Sequence, residues 1–414
     1  MTLNYIWIFF FIIAFVIAFL KWMITGDPLI FKAVVDGIFK SAGDSVDLSF
    51  KLIGIMTLFL GFMNIGEKAG AIRFLSRIVG PFFTRLFPEV PRNHPAMGHM
   101  MMNFSANLLG LDNAATPFGL KAMESLQELN PKKDTASQSQ LMFLVLHASG
   151  LTLIPISTIA IRASIKPPAA NPTDVFIPCL IVTFTATMAA LLVVSFKQRI
   201  NLLQPVLLAW IAGISSLIAG LIWYLTQFLD QPGIEKFSTV MSNGIIILIF
   251  FAFLLGGLLR KVNVFEAFID GAKGGFEVAI RIIPYLVAML VAISVLRSSG
   301  AFDVVIDGIS RLFSAIGLRT EFVQSLPTAL MKPLSGSGSR GMMVDAMTRY
   351  GADSFTGRLS SIFQGTTDTT FYVVAVYFGS VAIKNTRYAI PAMLIADLVG
   401  IITAILVAYL FFPI

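Results

Sequence analysis

The sequence predicts an all-α, polytopic membrane protein with two inverted repeats, each containing a re-entrant helical hairpin and interfacial helices. Three observations support this fold class: the composition, the spacing of the apolar runs, and matching segments in the two halves. Of the 414 residues, 56% are hydrophobic and only 13% are charged, whereas average soluble domains contain about 25% charged residues. This composition indicates a chain that lies mostly in lipid.

Nine apolar runs come close to the length that crosses a bilayer, which is about 17 to 25 residues. The hydrocarbon core offers no water to backbone amides, so each run is expected to be helical. The first run lacks the basic start and the small-residue cleavage site of a signal peptide, and we expect it to remain in the protein. The runs cover residues 4–20, 46–65, 141–161, 175–196, 202–228, 240–259, 282–296, 371–383 and 388–412.

Matching segments recur in the two halves at a nearly constant spacing, which indicates a duplication. The stretch 33–37 resembles the stretch 267–271 at an offset of 234, and 122–123 matches 346–347 at an offset of 224. Each copy contains an even number of crossings, and the extra run 202–228 lies between the copies. The second copy is therefore expected to be inverted, as in many secondary transporters.

The predicted division places the first copy at residues 1–200, a connecting transmembrane helix at 201–237, and the inverted copy at 238–414. This arrangement collects most Lys- and Arg-rich loops on one side, which the positive-inside rule makes cytoplasmic. We therefore expect a cytoplasmic N-terminus. The same bias explains the net charge of +7 without nucleic acid as a partner. The basic loops include residues 68–92, 132–133, 197–199, 260–261 and 384–387.

Four amphipathic stretches, at 31–47, 71–86, 264–280 and 301–316, are expected to lie on the membrane surface. Their apolar residues fall on one helical face and their charged residues fall elsewhere. In each copy, two such stretches come before a region of unusual composition.

These two regions, 94–123 and 327–347, are too polar for a lipid-facing helix and too apolar for a surface loop. Each fits a re-entrant hairpin of two half-helices, with tips near 110–116 and 335–341 inside the membrane. The second tip contains a G-x-G-x-x-G pattern, but no strand precedes it, so a dinucleotide site is disfavoured.

The segment 364–370 reads Gln-Gly-Thr-Thr-Asp-Thr-Thr and interrupts an apolar run. An unpaired polar group in lipid costs about 2 to 4 kcal/mol, so this segment is expected to face a protein interior or a water-filled cavity. Asp368 is expected to carry a coupling Na+ or H+, with a structural carboxylate as the alternative. The counterpart in the first copy is 147–152. For His147, a structural role and a proton relay both remain open, and Asp397 is a second buried acid of undecided role.

The motif strings also resemble known proteins. Residues 107–123 resemble spore maturation protein A, whereas 333–338, 364–372 and 376–384 resemble spore maturation protein B. The chain is thus similar to a fusion of the two, within the nucleoside-recognition or Gate family. The resemblance implies Gate-type repeats and a bacterial inner-membrane location. Relatives in that family include concentrative nucleoside transporters and the membrane part of ferrous iron transporter B, whose gate cysteines have no equivalent in these hairpins.

Together these features predict an inner-membrane transporter of a small polar solute, nucleoside-like or another small metabolite, that works by alternating access. The alternative is a non-transporting sensor or scaffold for envelope processes. Homo-oligomers remain open. One Cys and three His do not supply an enzyme's catalytic triad or metal cluster, so no enzyme, cofactor or metal is expected. The predicted solute-binding residues are Asn107, Asn113, Thr116, His147, Ser149, Ser335, Ser337, Gln364, Thr367, Asp368 and Thr369.

Overall fold

A computed structural model of the chain describes the backbone of residues 2–414, and their side chains except those of residues 2, 3, 6 and 112–114. These described residues form 17 α-helices and no named β-strand. The helices are α1 (Thr2–Thr25), α2 (Leu29–Lys68), α3 (Ala71–Leu86), α4 (Pro95–Leu108), α5 (Asp112–Leu129), α6 (Gln138–Ser149), α7 (Ile156–Ser164), α8 (Phe176–Gln198), α9 (Pro205–Phe228), α10 (Gln231–Leu259), α11 (Val264–Ser298), α12 (Ala301–Ala315), α13 (Leu326–Met331), α14 (Gly336–Tyr350), α15 (Phe355–Gln364), α16 (Thr370–Val373) and α17 (Ala389–Phe411).

Seven helices of the described chain are long and apolar enough to cross a membrane, which agrees with a polytopic protein. Two further apolar runs, 141–161 and 371–383, do not form long α-helices. The first divides into α6 and α7, and the second begins with the short α16, which continues as a π-helical turn at Val374–Phe378. The membrane-crossing candidates are α1, α2, α8, α9, α10, α11 and α17.

The order of elements repeats, as the matching segments predict. Helices α1–α8 comprise two long helices, a short amphipathic helix, a helical hairpin, a broken helix and a final long helix. Helices α10–α17 follow the same order, with a short 3-10 turn at Glu321–Ser325 before the second hairpin. Helix α9 stands between the two copies. The duplication and the hairpins expected from the sequence are confirmed.

Two of the amphipathic stretches differ from the expectation of separate surface helices. The stretch 31–47 is continuous with the following crossing in α2, which has 40 residues, and 264–280 is continuous with its crossing in α11, which has 35 residues. At 1.5 Å per residue these helices are about 50 to 60 Å long. The other two amphipathic stretches form separate helices, α3 and α12, which both follow a left-handed glycine, Gly70 and Gly300.

The equivalent helices α2 and α11 run antiparallel along most of their length. Gly37, near the start of α2, lies beside Ser294, near the end of α11. Gly61, toward the end of α2, lies against the ring of Phe268, near the start of α11. The residue numbers of the contacting positions therefore increase along α2 as they decrease along α11. Because the two helices are copies of one element, their opposite directions make the two repeats inverted.

Small residues allow this close contact. The Cα of Gly275 approaches the backbone of Met56 so closely that an added Cβ would lie 2.6 Å from the Met56 carbonyl oxygen. Side-chain bonds join the two helices at the other end of the interface, where Asn64 Nδ2 donates to Ala267 O at 2.6 Å. Lys68 Nζ pairs with Asp270 Oδ2 at 2.8 Å.

We expect Gly275→Ala to destabilise the protein, because the new methyl group meets backbone atoms that have no rotamer to change. The expected loss of unfolding free energy is about 1–3 kcal/mol. The matched control is Gly274→Ala, since no atom lies within 4 Å of a Cβ at that position. Reversible unfolding in detergent, followed by tryptophan fluorescence, measures both variants. Equal stability of the two variants would contradict this description of the interface.

Candidate functional site

The two broken helices meet where they are unwound. The first break comprises residues 150–155, between α6 and α7, and the second comprises residues 365–369, between α15 and α16. The Asp368 amide donates to the carbonyl of Ala148 at 2.8 Å, which joins the second break to the first copy. Gly150 ends α6 with a φ of 63°, and a Cβ there would lie 3.4 Å from the Asp368 nitrogen. The two breaks therefore contact each other where the copies meet.

Each hairpin tip is bonded to the broken helix of its own copy, at the break or in the first turn after it. The amide of Leu153 donates to the carbonyl of Leu108 at 2.8 Å, at the tip of the first hairpin. The amide of Phe371 donates to the carbonyl of Pro333 at 3.0 Å, at the tip of the second. These bonds satisfy backbone groups that have no helical partner at the breaks. The tips and the breaks thus form one connected polar region.

Two asparagines of the first hairpin hold His147. The Nδ1 atom of His147 lies 2.7 Å from Asn107 Nδ2 and 3.1 Å from Asn103 Oδ1. The ring also makes an edge contact with Tyr377, with centroids 4.7 Å apart. The other ring nitrogen, Nε2, is 3.9 Å from Asp368 Oδ2. The imidazole therefore connects the first hairpin to the acid of the second break.

Asp368 combines a central position with solvent access. Its backbone is enclosed by both copies, yet 47% of its side-chain surface is accessible. The carboxylate is therefore not enclosed by a tightly packed core, although the residues around it remove part of its hydration.

Lys332, at the tip of the second hairpin, is a functional candidate that the sequence interpretation did not identify. Its Nζ donates to the carbonyl of Gln364, the last residue of α15, at 2.7 Å. Its charge lies within electrostatic range of Asp368 and Asp397. Asp397 accepts a bond from Thr370 Oγ1 at 2.7 Å. The sequence does show a lysine beside the polar hairpin tip. Because this lysine is far along the chain from both acids, the sequence does not show that the three charged groups lie close together.

Several predicted residues of the second copy lie in the same region. Gln364 is buried, and its Oε1 atom has no hydrogen-bond partner within the part of the chain that the structure describes. Ser335 caps α14 by accepting the Gly338 amide at 3.0 Å, and its hydroxyl lies 3.2 Å from that of Ser337. Thr369 lies against Gly336 of the hairpin tip. Thr367 and Asp397 both line one small void in this region.

The predicted residues of the first copy are less uniformly placed. Ser149 donates to the Leu146 carbonyl at 2.8 Å and contacts the hydroxyl of Thr187 at 3.1 Å, so its side chain faces α8. Thr116 is partly buried in α5. The side chain of Asn113 lies outside the described residues. No group of three or more His, Cys, Asp or Glu in the described chain is arranged to hold a metal ion.

A separate charged cluster joins the copies at one end of α7. Arg162 is fully buried, and its Nη2 and Nη1 atoms donate to Asp174 Oδ1 and the Ala352 carbonyl, both at 2.8 Å. Arg358 Nε donates to Asp174 Oδ2 at 2.8 Å. Asp353 lies 3.4 Å from Arg162. Because these groups satisfy one another, we interpret this cluster as structural.

Comparison with known proteins agrees with the repeated architecture. The family model described as Gate, nucleoside recognition, matches residues 49–166 and 279–384. Spore maturation protein B of Bacillus subtilis (strain 168) is 48% identical over 172 residues, which cover 42% of this chain and 95% of that protein. Spore maturation protein A of the same organism is 39% identical over 160 residues, which cover 39% of this chain and 81% of that protein. No solved structure matches the chain.

We expect Arg162→Met to destabilise the protein by about 3–5 kcal/mol, because Asp174 then loses a buried partner. Arg349→Met is the control, since Arg349 pairs with Asp303 at 3.7 Å and both side chains are about half exposed. An exposed pair contributes only about 0–1 kcal/mol. Unfolding free energies in detergent measure both effects. Similar losses in the two variants would contradict the structural role of Arg162.

Proposed function

The chain belongs to the Gate, nucleoside recognition, family, and from this premise we propose that it transports a small polar solute across a bacterial inner membrane. The observation that carries this proposal is the meeting of two helix breaks, each bonded to a hairpin tip, beside the accessible carboxylate of Asp368. Polar segments of this kind at membrane depth are typical of binding sites in secondary transporters.

The breaks supply suitable groups for a coupling cation. Helices α6 and α15 both end at the breaks, and the carbonyl ends of helices carry partial negative charge. Asp368 adds a full negative charge when ionised, and Lys332 balances part of it. In this proposal, Na+ or H+ binds at Asp368 and neutralises it, and the Nε2 atom of His147 lies 3.9 Å from the carboxylate.

The solute itself is expected to bind through uncharged polar groups. Gln364 Oε1 is a buried acceptor whose partner is missing among the described residues, so an N–H or O–H group of the solute satisfies it. The Ser337 hydroxyl and the Asn107 amide supply further hydrogen bonds near the tips. A nucleoside, with ring amides and ribose hydroxyls, has this chemistry. We therefore propose a nucleoside-like solute as the first candidate.

An asymmetry between the hairpins supports alternating access. In the second copy, α14 packs on α11, where Gly341 lies against Met289. The equivalent helix of the first copy, α5, instead packs on the π-helical turn, where Gly119 lies against Tyr377. When equivalent elements of two inverted repeats occupy different environments, each element can move into the environment of the other. In this proposal, the exchange exposes the breaks first to one side of the membrane and then to the other.

Loop contacts support the proposed orientation. The loop before α6 and the loop before α17 come from different copies, and both carry basic residues. They meet where the amide of Lys384 donates to the carbonyl of Asp134 at 2.9 Å, which places them on one side. Under the positive-inside rule that side is cytoplasmic, as is the N-terminus. Homo-oligomers are compatible with the lipid-facing apolar surface.

We expect Asp368→Asn to abolish solute flux without loss of folded protein, because the variant keeps the size of the side chain and removes its charge. The measurement is counterflow of labelled uridine, and of a panel of other polar metabolites, in proteoliposomes under Na+ and pH gradients. Asp307→Asn is the control, since it removes one acid from the exposed face of α12. Unchanged flux in Asp368→Asn would remove this acid from the mechanism.

The same assay distinguishes a transporter from a sensor or scaffold. A solute that stabilises the wild-type protein against heating, but shows no counterflow under either gradient, would favour the non-transporting role.

We expect Gln364→Leu to weaken solute binding about five- to tenfold, since one hydrogen bond contributes roughly 1 kcal/mol. The stability of the solute-free protein should not fall, because the substitution removes a buried acceptor that has no partner. Flux against solute concentration gives the apparent affinity, and thermal unfolding gives the stability. Loss of stability with unchanged affinity would assign Gln364 a structural role instead.

A further inference from the structure

Another cavity lies apart from the helix breaks, between the first half of α2, the end of α7, and the neighbouring α11 and α14. Its volume is about 530 Å³, within the range of small-molecule pockets, roughly 300–1,000 Å³. We call it the α2–α14 cavity. Three acidic side chains and five basic ones line it, which leaves a formal excess of positive charge. The basic residues are Lys40, Lys51, Lys166, Arg297 and Arg349.

Two of these lysines are not fully compensated by acids. The amino groups of Lys51 and Lys166 lie close enough to repel each other. Lys166 is 3.6 Å from Asp47, but both side chains are about two-thirds exposed, so solvent weakens this pair. An anion between the two ammonium groups relieves their repulsion and gains from both charges.

Two buried donors at the same cavity also lack partners. Ser164 Oγ and Arg297 Nη1 have no hydrogen-bond partner within the described chain, although both residues line the cavity. The guanidinium is fixed in place, because Arg297 Nε donates to Asp345 Oδ2 at 2.7 Å and the group stacks 3.7 Å from the centroid of the Phe302 ring. Buried donors normally find an acceptor, and an oxygen of a ligand in this cavity could become that acceptor.

We propose that the α2–α14 cavity is an anion site that binds a phosphate group through Lys51, Lys166, Ser164 and Arg297. Lysines attract phosphate as point charges, whereas a guanidinium and a hydroxyl direct hydrogen bonds to individual oxygens. The phosphate belongs either to a soluble metabolite or to the headgroup of an anionic lipid. This site is separate from Asp368 and its occupancy does not require solute transport.

The test uses the full-length protein in neutral detergent, titrated with inorganic phosphate by calorimetry. The double variant Lys51→Gln with Lys166→Gln should raise the dissociation constant by roughly tenfold or more. The matched control, Lys32→Gln with Lys273→Gln, removes two exposed lysines outside the cavity and should leave the dissociation constant unchanged. Ser164→Ala, which keeps every charge, should weaken phosphate binding severalfold.

A second arm identifies the source of the phosphate. Wild-type protein and both double variants are placed in phosphatidylcholine nanodiscs with and without phosphatidylglycerol, and co-purified lipid is quantified by mass spectrometry. Selective loss of phosphatidylglycerol from the cavity variant assigns the site to a lipid headgroup, whereas a change in inorganic phosphate binding alone assigns it to a soluble molecule. The proposal is overturned if neither probe binds, or if both bind the cavity variant as tightly as the wild type.

Discussion

The need to satisfy backbone hydrogen bonds at two interrupted helices governs the centre of this protein. A continuous helix satisfies its own amides and carbonyls, but a break in an apolar environment leaves groups that water cannot reach. Here the hairpin tips supply the missing acceptors, the Leu108 carbonyl for Leu153 and the Pro333 carbonyl for Phe371. The amide of Asp368 donates to a carbonyl of the other copy, that of Ala148. The hairpins, the breaks and the contact between copies therefore depend on one another.

The antiparallel packing of α2 and α11 brings these elements together. The two long helices are equivalent, and Gly61 and Gly275 allow them to approach within side-chain or backbone contact. Other equivalent elements also meet across the contact between the copies. The first break contacts the second, and α8 packs beside α17, with Gly400 near Ala186. The hairpins are the exception, since α5 and α14 pack on different elements.

Charged residues inside the fold separate into two kinds according to their access to solvent. Arg162 is completely buried, and Asp174, Ala352 O and neighbouring carbonyls occupy its donors. Such a group is held in one arrangement, because any movement leaves a buried charge unpaired. Asp368 instead keeps nearly half of its side-chain surface accessible while His147 and Lys332 stay near it. A carboxylate with this freedom is suited to gain and lose a cation, as the proposed transport requires.

The sequence by itself determined the membrane class, the duplication and both hairpins, because each follows from local composition or from spacing along the chain. It also selected Asp368 and His147, since polar residues within apolar runs stand out. Only the tertiary structure brought Lys332 to Asp368 and Asp397, turned Ser149 toward α8, and joined the stretch 31–47 to its crossing helix. These features arise from contacts between residues far apart in the chain, and periodicity carries no information about such contacts.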